Sequence, residues 1–148
     1  RLIFGGEARI GNASALSVGT RGTARIGHDF SASAALKMVA WHNVTIGDHC
    51  RFGWDCLLTD TDFHSLKKES GEHTRGYASI RIGAHCWIGA RCFIQKRTGL
   101  PPYTVVSGYS LVNRRYDIPE RSIIGGIPAE LKTTGVYRDI DDDQVIYP

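Results

Sequence analysis

Two sets of residues in this 148-residue chain have the types and spacing that chemistry needs. The first is TDTDFHSL, residues 59 to 66, where Asp60, Asp62 and His64 alternate. An extended backbone points alternate side chains to one side. A carboxylate there can accept an imidazole N–H, fix its tautomer and stabilise the imidazolium formed when a proton moves. Histidine is the default general base near neutral pH, with an ordinary pKa of about 6.5. The spacing therefore makes His64 a candidate base, with Asp60 or Asp62 to orient it; the competing reading is that the two acids merely solvate a loop entrance. The second set is Cys50, Cys56, Cys86 and Cys92. A zinc site asks for CxxC-like pairs or a cysteine and histidine cluster, and none of the four has that spacing. No metal site is expected.

The other five histidines carry weaker signals. His49 and His85 fall at turn positions that face solvent, His73 lies in a charged stretch without periodicity, and His28 and His42 flank irregular sequence. No two histidines stand five apart, the spacing that a solenoid zinc lyase resembling the γ-class carbonic anhydrases would need.

What must position these groups is a repeat. Every sixth residue from Ile82 is aliphatic: Ile82, Ile88, Ile94, Leu100, Val106, Val112, Ile118 and Ile124. Four residues after the first seven stand Cys86, Cys92, Thr98, Thr104, Ser110, Tyr116 and Ser122, nearly all small. Upstream, Ile46, Phe52 and Leu58 keep the period, with Cys50 and Cys56 as fourth followers. Cysteine here reads as a small core filler, and reduced thiols suit a cytosolic protein. A six-residue period cannot be one face of a 3.6-residue helix. It is a β-helix signature, in which each coil buries its apolar row against the coils above and below. The expected fold is an all-β parallel solenoid spanning residues 1 to 148 as one domain. Earlier blocks run Phe4, Ile10, Leu16 and then Ile26, Ala32, Met38, Val44, with phase slips that mark bulges or loops. The longest departure, residues 65 to 79, is expected to protrude and to serve binding.

Composition excludes several classes. No apolar stretch approaches the ~20 residues of a transmembrane helix. The start, RLIFGGEARI, has neither an initiator methionine nor the apolar run of a signal peptide, which fits a fragment of a longer chain. A net charge of +3 with basic residues scattered along the sequence disfavours nucleic acid and fits an anionic small ligand equally well.

The segments IGDHCRFGWDCLL, IRIGAHCWIGARCFI, VVSGYSLVNR and DIPERSIIGGIPAELK resemble the hexapeptide-repeat acyltransferases of left-handed parallel β-helix fold, over roughly residues 26 to 133. Within that family they are most similar to sugar O-acetyltransferases of the maltose and galactoside type and from surface-polysaccharide synthesis. The resemblance implies a left-handed coil, against the usual right-handed crossover rule. It also implies a homotrimer with active sites between subunits, acetyl-CoA as cosubstrate and a sugar hydroxyl as acceptor, while the cytoplasmic setting is expected from the reduced thiols. The family's catalytic histidine stands where the repeat breaks into its long loop, which selects His64; Asp62 is a catalytic candidate beside it from the alternating spacing alone, with Asp60 still open as the orienting acid. The Thr-Gly-His-Pro form usual there is absent, and His64 comes one residue late. By position, Ala90, Gly108, Asn113 and Arg114 would contact acetyl-CoA, Trp87 would wall the site, and Lys132 or Arg114 would neutralise phosphate. The asparagine that such sugar enzymes use is missing from SASAAL, residues 31 to 36, which leaves Trp41, Trp54 and Asp55 as an acceptor face. A non-catalytic solenoid scaffold is the main alternative.

Overall fold

The computed structural model describes all 148 residues and contains strands, turns and no helix. The strands wind in coils of three. The first coil is β1 (Leu2–Phe4), β2 (Ala8–Ile10) and β3 (Ala15–Val18); the second is β4 (Thr23–Ile26), β5 (Phe30–Ala32) and β6 (Lys37–Ala40). The third is β7 (Asn43–Ile46), β8 (Arg51–Phe52) and β9 (Leu57–Thr59), and the fourth is β10 (Ile80–Ile82), β11 (Trp87–Ile88) and β12 (Phe93–Gln95). A fifth holds β13 (Gly99–Leu100), β14 (Val105–Val106) and β15 (Leu111–Val112), before the closing pair β16 (Ser122–Gly126) and β17 (Ala129–Thr134). Like positions pair in parallel, giving three flat faces: β1-β4-β7-β10-β13, then β2-β5-β8-β11-β14-β16 and β3-β6-β9-β12-β15. The molecule is the expected parallel β-solenoid. β17 turns back antiparallel on β16 and closes the end.

The six-residue period builds this prism because each unit supplies one inward aliphatic, one corner and one small inward residue. Ile82, Ile88, Ile94, Val106, Val112 and Ile124 are almost fully buried, as are Ile26, Met38, Ile46 and Leu58 on the coils before them. Three residues after the aliphatic, the corner residue takes the left-handed conformation. At the corner between the first and second faces these are Asp29, His49, His85, Tyr103 and Arg121; between the second and third they are Ala13, Ala35, Asp55, Arg91 and Tyr109, all with φ from 50° to 62°. That conformation costs a non-glycine residue about 1–2 kcal/mol. It persists because the parallel ladders on both sides fix the turn.

The fourth follower then points inward at the corner. All four cysteines are free and buried there. Cys50, Cys56, Cys86 and Cys92 donate S–H to the carbonyls of Gly83, Gly89, Pro101 and Ser107 on the next coil, at 3.1 to 3.3 Å. Thr104, Ser110 and Ser122 donate instead to the carbonyl three residues back, at 2.6 to 2.7 Å.

The phase slips share one location. The stacked positions Phe4, Ile26, Ile46, Ile82 and Leu100 are separated by 22, 20, 36 and 18 residues. Within every coil the first, second and third strands keep the six-residue step, so each addition falls where the third face turns into the first. Val44 accordingly belongs to the next face and not to the Met38 row. The largest addition runs from Asp60 to Ser79, opening five residues earlier than the sequence suggests. It folds as a hairpin-like flap, bridged antiparallel at Thr61 with Tyr77 and at Lys67 with His73.

Candidate functional site

At the third-to-first corner the chain must leave the ladder and return. Asp60 governs the exit: it is fully buried, and its two carboxylate oxygens accept the backbone N–H groups of Trp41 and His42, each at 2.8 Å, from the coil below. Thr61 follows, its hydroxyl accepting the Phe63 N–H at 2.9 Å, and Phe63 takes φ 63°. His64 comes next. Opposite it, the Asp62 N–H donates to the Gly76 carbonyl at 2.7 Å. A Cβ on Gly76 would collide with the His64 carbonyl oxygen, so glycine alone allows the two flap strands to approach there.

His64 is exposed and its imidazole has no hydrogen-bond partner within the chain. It lines a cleft of about 580 Å³ between the flap and the outer side of the third face, with Val39, Leu57 and Phe93 as the apolar floor and Thr59, Gln95 and Lys96 as polar neighbours. Beside the mouth, Trp41 meets Phe63 edge-on with centroids 5.3 Å apart. The Tyr77 ring lies 4.9 Å from the His42 ring, and the Arg75 guanidinium sits over the Tyr77 ring, 4.4 Å from its centroid. Arg75 and Tyr77 share a second hollow with His64.

The expected line of Asp60, Asp62 and His64 on one side does not form, because the backbone turns at Thr61 and Phe63. Asp60 is consumed by two amides, and Asp62 pairs with Lys96 at 2.9 Å. Neither carboxylate is hydrogen-bonded to the imidazole. Lys96 went unnoticed in the sequence, although Asp60 and Lys96 stand 36 residues apart, one coil plus the flap, as Thr59 and Gln95 do in register.

The residues expected to contact acetyl-CoA are distributed around the prism. Ala90 and Gly108 stack on consecutive coils at the corner between the second and third faces, where the Tyr109 N–H donates to the Ala90 carbonyl at 2.9 Å. With no larger side chain on either, that strip is smooth. Asn113 joins Asp62, Arg75, Lys96 and Arg97 around a hollow of about 330 Å³ that adjoins the His64 cleft. Arg114 lies over Tyr116 and donates to the Ala129 carbonyl at 3.2 Å, which ties it to the closing hairpin. Lys132 is exposed on β17. Trp87 does not wall the His64 cleft: it stands on the outer second face, with the Arg138 guanidinium 5.3 Å from its ring. Trp54 and Asp55 occupy the second-to-third corner, where Asp55 pairs with Arg91 at 3.4 Å, while only Trp41 of the expected acceptor face reaches the flap.

Elsewhere the titratable groups serve the scaffold. His49, His85 and Tyr103 stack on successive coils, with centroids 4.7 and 4.5 Å apart. Burial and the neighbouring His49 hold the His85 pKa below its ordinary value. Asp29 accepts from Arg51 at 2.6 Å and meets His49 Nδ1 at 2.9 Å, and these hydrogen bonds lower its pKa to about 2. Burial pushes the Cys92 thiol up to about 11 and raises Cys56, while Cys86 is raised first by its contact with Cys50. A thiolate nucleophile is therefore disfavoured at each of these positions. No group of three histidine, cysteine or acidic side chains converges as a metal site.

No family model matches this chain, and neither does any curated protein. Solved structures do resemble it. A polysialic acid O-acetyltransferase, OatWY, superposes with a TM-score of 0.71 at 16% identity, covering 99% of this chain and 93% of the other. A maltose O-acetyltransferase from Clostridium difficile 630 gives 0.68 at 19% identity, with 91% and 71% covered. A galactoside acetyltransferase in complex with coenzyme A gives 0.53 at 21% identity, with 98% and 70% covered. At these identities the likeness establishes one thing, a shared β-solenoid fold that extends over nearly the whole of this chain.

Proposed function

We propose that this protein is an acetyl-CoA-dependent O-acetyltransferase that acts on a sugar hydroxyl, with His64 as the general base. The observation that carries the reading is the placement of His64: an imidazole without an internal partner, at the mouth of a 580 Å³ cleft, where the coil opens into its one long flap. The named activities of the structural neighbours support the same reaction class.

In this mechanism His64 accepts the proton of the acceptor hydroxyl as its oxygen bonds to the thioester carbonyl carbon. The carbon–sulfur bond then breaks, and the coenzyme thiolate leaves with the proton from His64. No acyl-enzyme forms, in keeping with four buried thiols, of which Cys56, Cys86 and Cys92 are raised in pKa. Asp62 acts at one remove, by holding Lys96 beside the cleft. The smooth Ala90 and Gly108 strip suits a thin pantetheine arm, with Asn113 at its His64 end and Arg114 and Lys132 toward the closing hairpin for the nucleotide phosphates. Trp87 would join only if a second copy brought its second face to this cleft, as in a homotrimer. A cytoplasmic setting agrees with four free thiols.

The test is a calorimetric titration of acetyl-CoA into the wild type and His64→Ala, with thiol release followed on a panel of sugars. Saturable binding in both proteins, with turnover reduced about 10²–10⁴-fold in the variant, is the expected result. Binding to neither would place a non-catalytic scaffold first.

A further inference from the structure

The arginines that look scattered in the sequence are gathered by the winding of the coil. Arg97 and Arg115 are separated by 18 residues, one uninterrupted coil, and Arg81 pairs in register with Gly99 across the first face. Arg81, Arg97 and Arg115 surround a groove of about 400 Å³ whose floor includes Gly99; a Cβ there would come within 3.2 Å of the Arg115 side chain. Arg97 also borders the 330 Å³ hollow that contains Arg75 and Lys96, and that hollow shares Asp62, Leu66 and Lys96 with the His64 cleft. Three concavities thus adjoin in sequence, from His64 across the third-to-first corner to the first face. Five cations line them, against two carboxylates, Asp62 and Asp117. Only Lys96 of the five is in an ion pair; Arg75, Arg81, Arg97 and Arg115 are exposed and have no carboxylate partner. Acidic groups also cluster away from the path, with Asp29 and Asp48 at the corner between the first and second faces and Asp139, Asp141, Asp142 and Asp143 in the tail, while on the flap Glu72 is paired with Lys68.

We propose that this basic path binds an extended acidic glycan, a polymer with regularly spaced carboxylates, and leads one of its residues to His64. This rests on the transferase reading above and names its acceptor class. Guanidinium groups present paired donors that match carboxylates. Their succession over adjoining grooves, beyond the reach of a single sugar in the His64 cleft, favours a chain over a monosaccharide. The path's continuity with the reaction centre favours a glycan acceptor over a nucleic acid.

The experiment measures binding by fluorescence anisotropy, without turnover. Probes are carboxylated glycans of graded length, polysialic acid and polygalacturonate, with dextran as the neutral polymer and a single-stranded oligonucleotide as the phosphate polymer. Affinity should rise with carboxylate chain length, fall steeply with salt and be absent for dextran. Arg81→Ala/Arg115→Ala, remote from His64, should weaken long chains at least 10-fold while leaving acetyl-CoA binding unchanged; Arg81→Lys/Arg115→Lys should fall between, and thermal melts check that both variants fold. Equal binding of dextran, equal affinity in the double alanine variant, or tighter binding of the oligonucleotide would overturn the proposal. So would loss of acetyl-CoA binding in that variant, since the arginines would then hold the cosubstrate's phosphates. A protein that binds the polymers but never releases thiol would refute the transferase reading and leave the path standing.

Discussion

Two corners of the same prism have opposite histories of length. Between the first and second faces every coil turns in the same six-residue step, and Asp29, His49, His85, Tyr103 and Arg121 form a column closed by Tyr137, which meets Tyr103 edge-on at 5.4 Å. Between the third and first faces no two of the first three coils turn alike, and this corner carries Trp41, the flap, His64 and Arg97. The difference shows where a solenoid can accept length. A corner whose side chains stack on the next coil transmits any insertion to its neighbours, whereas a corner held by backbone capping, as Asp60 holds Trp41 and His42, lets each coil depart and return alone.

The largest effect should come from moving an insertion between these corners. Two residues added between Gly47 and Asp48 should abolish cooperative unfolding in a thermal melt, while the same two between Thr20 and Arg21 should shift Tm by only a few degrees, since short surface loop extensions cost little. Removing the cap should come next: Asp60→Ala leaves two corner amides without an acceptor and should cost about 3 kcal/mol in a denaturant melt, with Asp60→Asn in between. Stability after Asp60→Ala equal to wild type would end the distinction drawn above. Gly76→Ala displaces the His64 carbonyl on an exposed flap, so thiol release should fall at least 10-fold with Tm nearly unchanged. The smallest effect belongs to the stacked column. His85 resists protonation in the folded state, so stability is lost as pH falls below the unfolded value of about 6.5; Asp29, depressed to about 2, adds a second loss between about pH 4 and 2. His85→Phe keeps the stack and should flatten only the upper step of Tm against pH.

The solenoid was legible because one aliphatic and one small residue per six positions are nearly all that a coil requires. The same pattern explained the cysteines, which the structure buries in the predicted role, and it located the flap from its missing period. His64 was legible as the residue where the period fails. Its surroundings were not. The alternation rule applied to Asp60, Asp62 and His64 fails once Thr61 and Phe63 turn the backbone, and no sequence signal marks a carboxylate that binds two amides on the preceding coil. Trp87 belongs to a face that a linear motif cannot assign. The basic path was invisible for a related reason: residues that meet across coils stand 16 to 36 apart, and the interval changes with every addition at the third-to-first corner.

The four thiols donate upward to particular coils, and that arrangement makes them reporters of time as well as of packing. Cys50 and Cys56 are covered by the junction of the third and fourth coils, Cys86 and Cys92 by that of the fourth and fifth. An alkylating reagent can reach each pair only when its junction parts. The two labelling rates, followed in native buffer by mass spectrometry, would therefore clock separately how often the stack opens on either side of the coil that follows the flap.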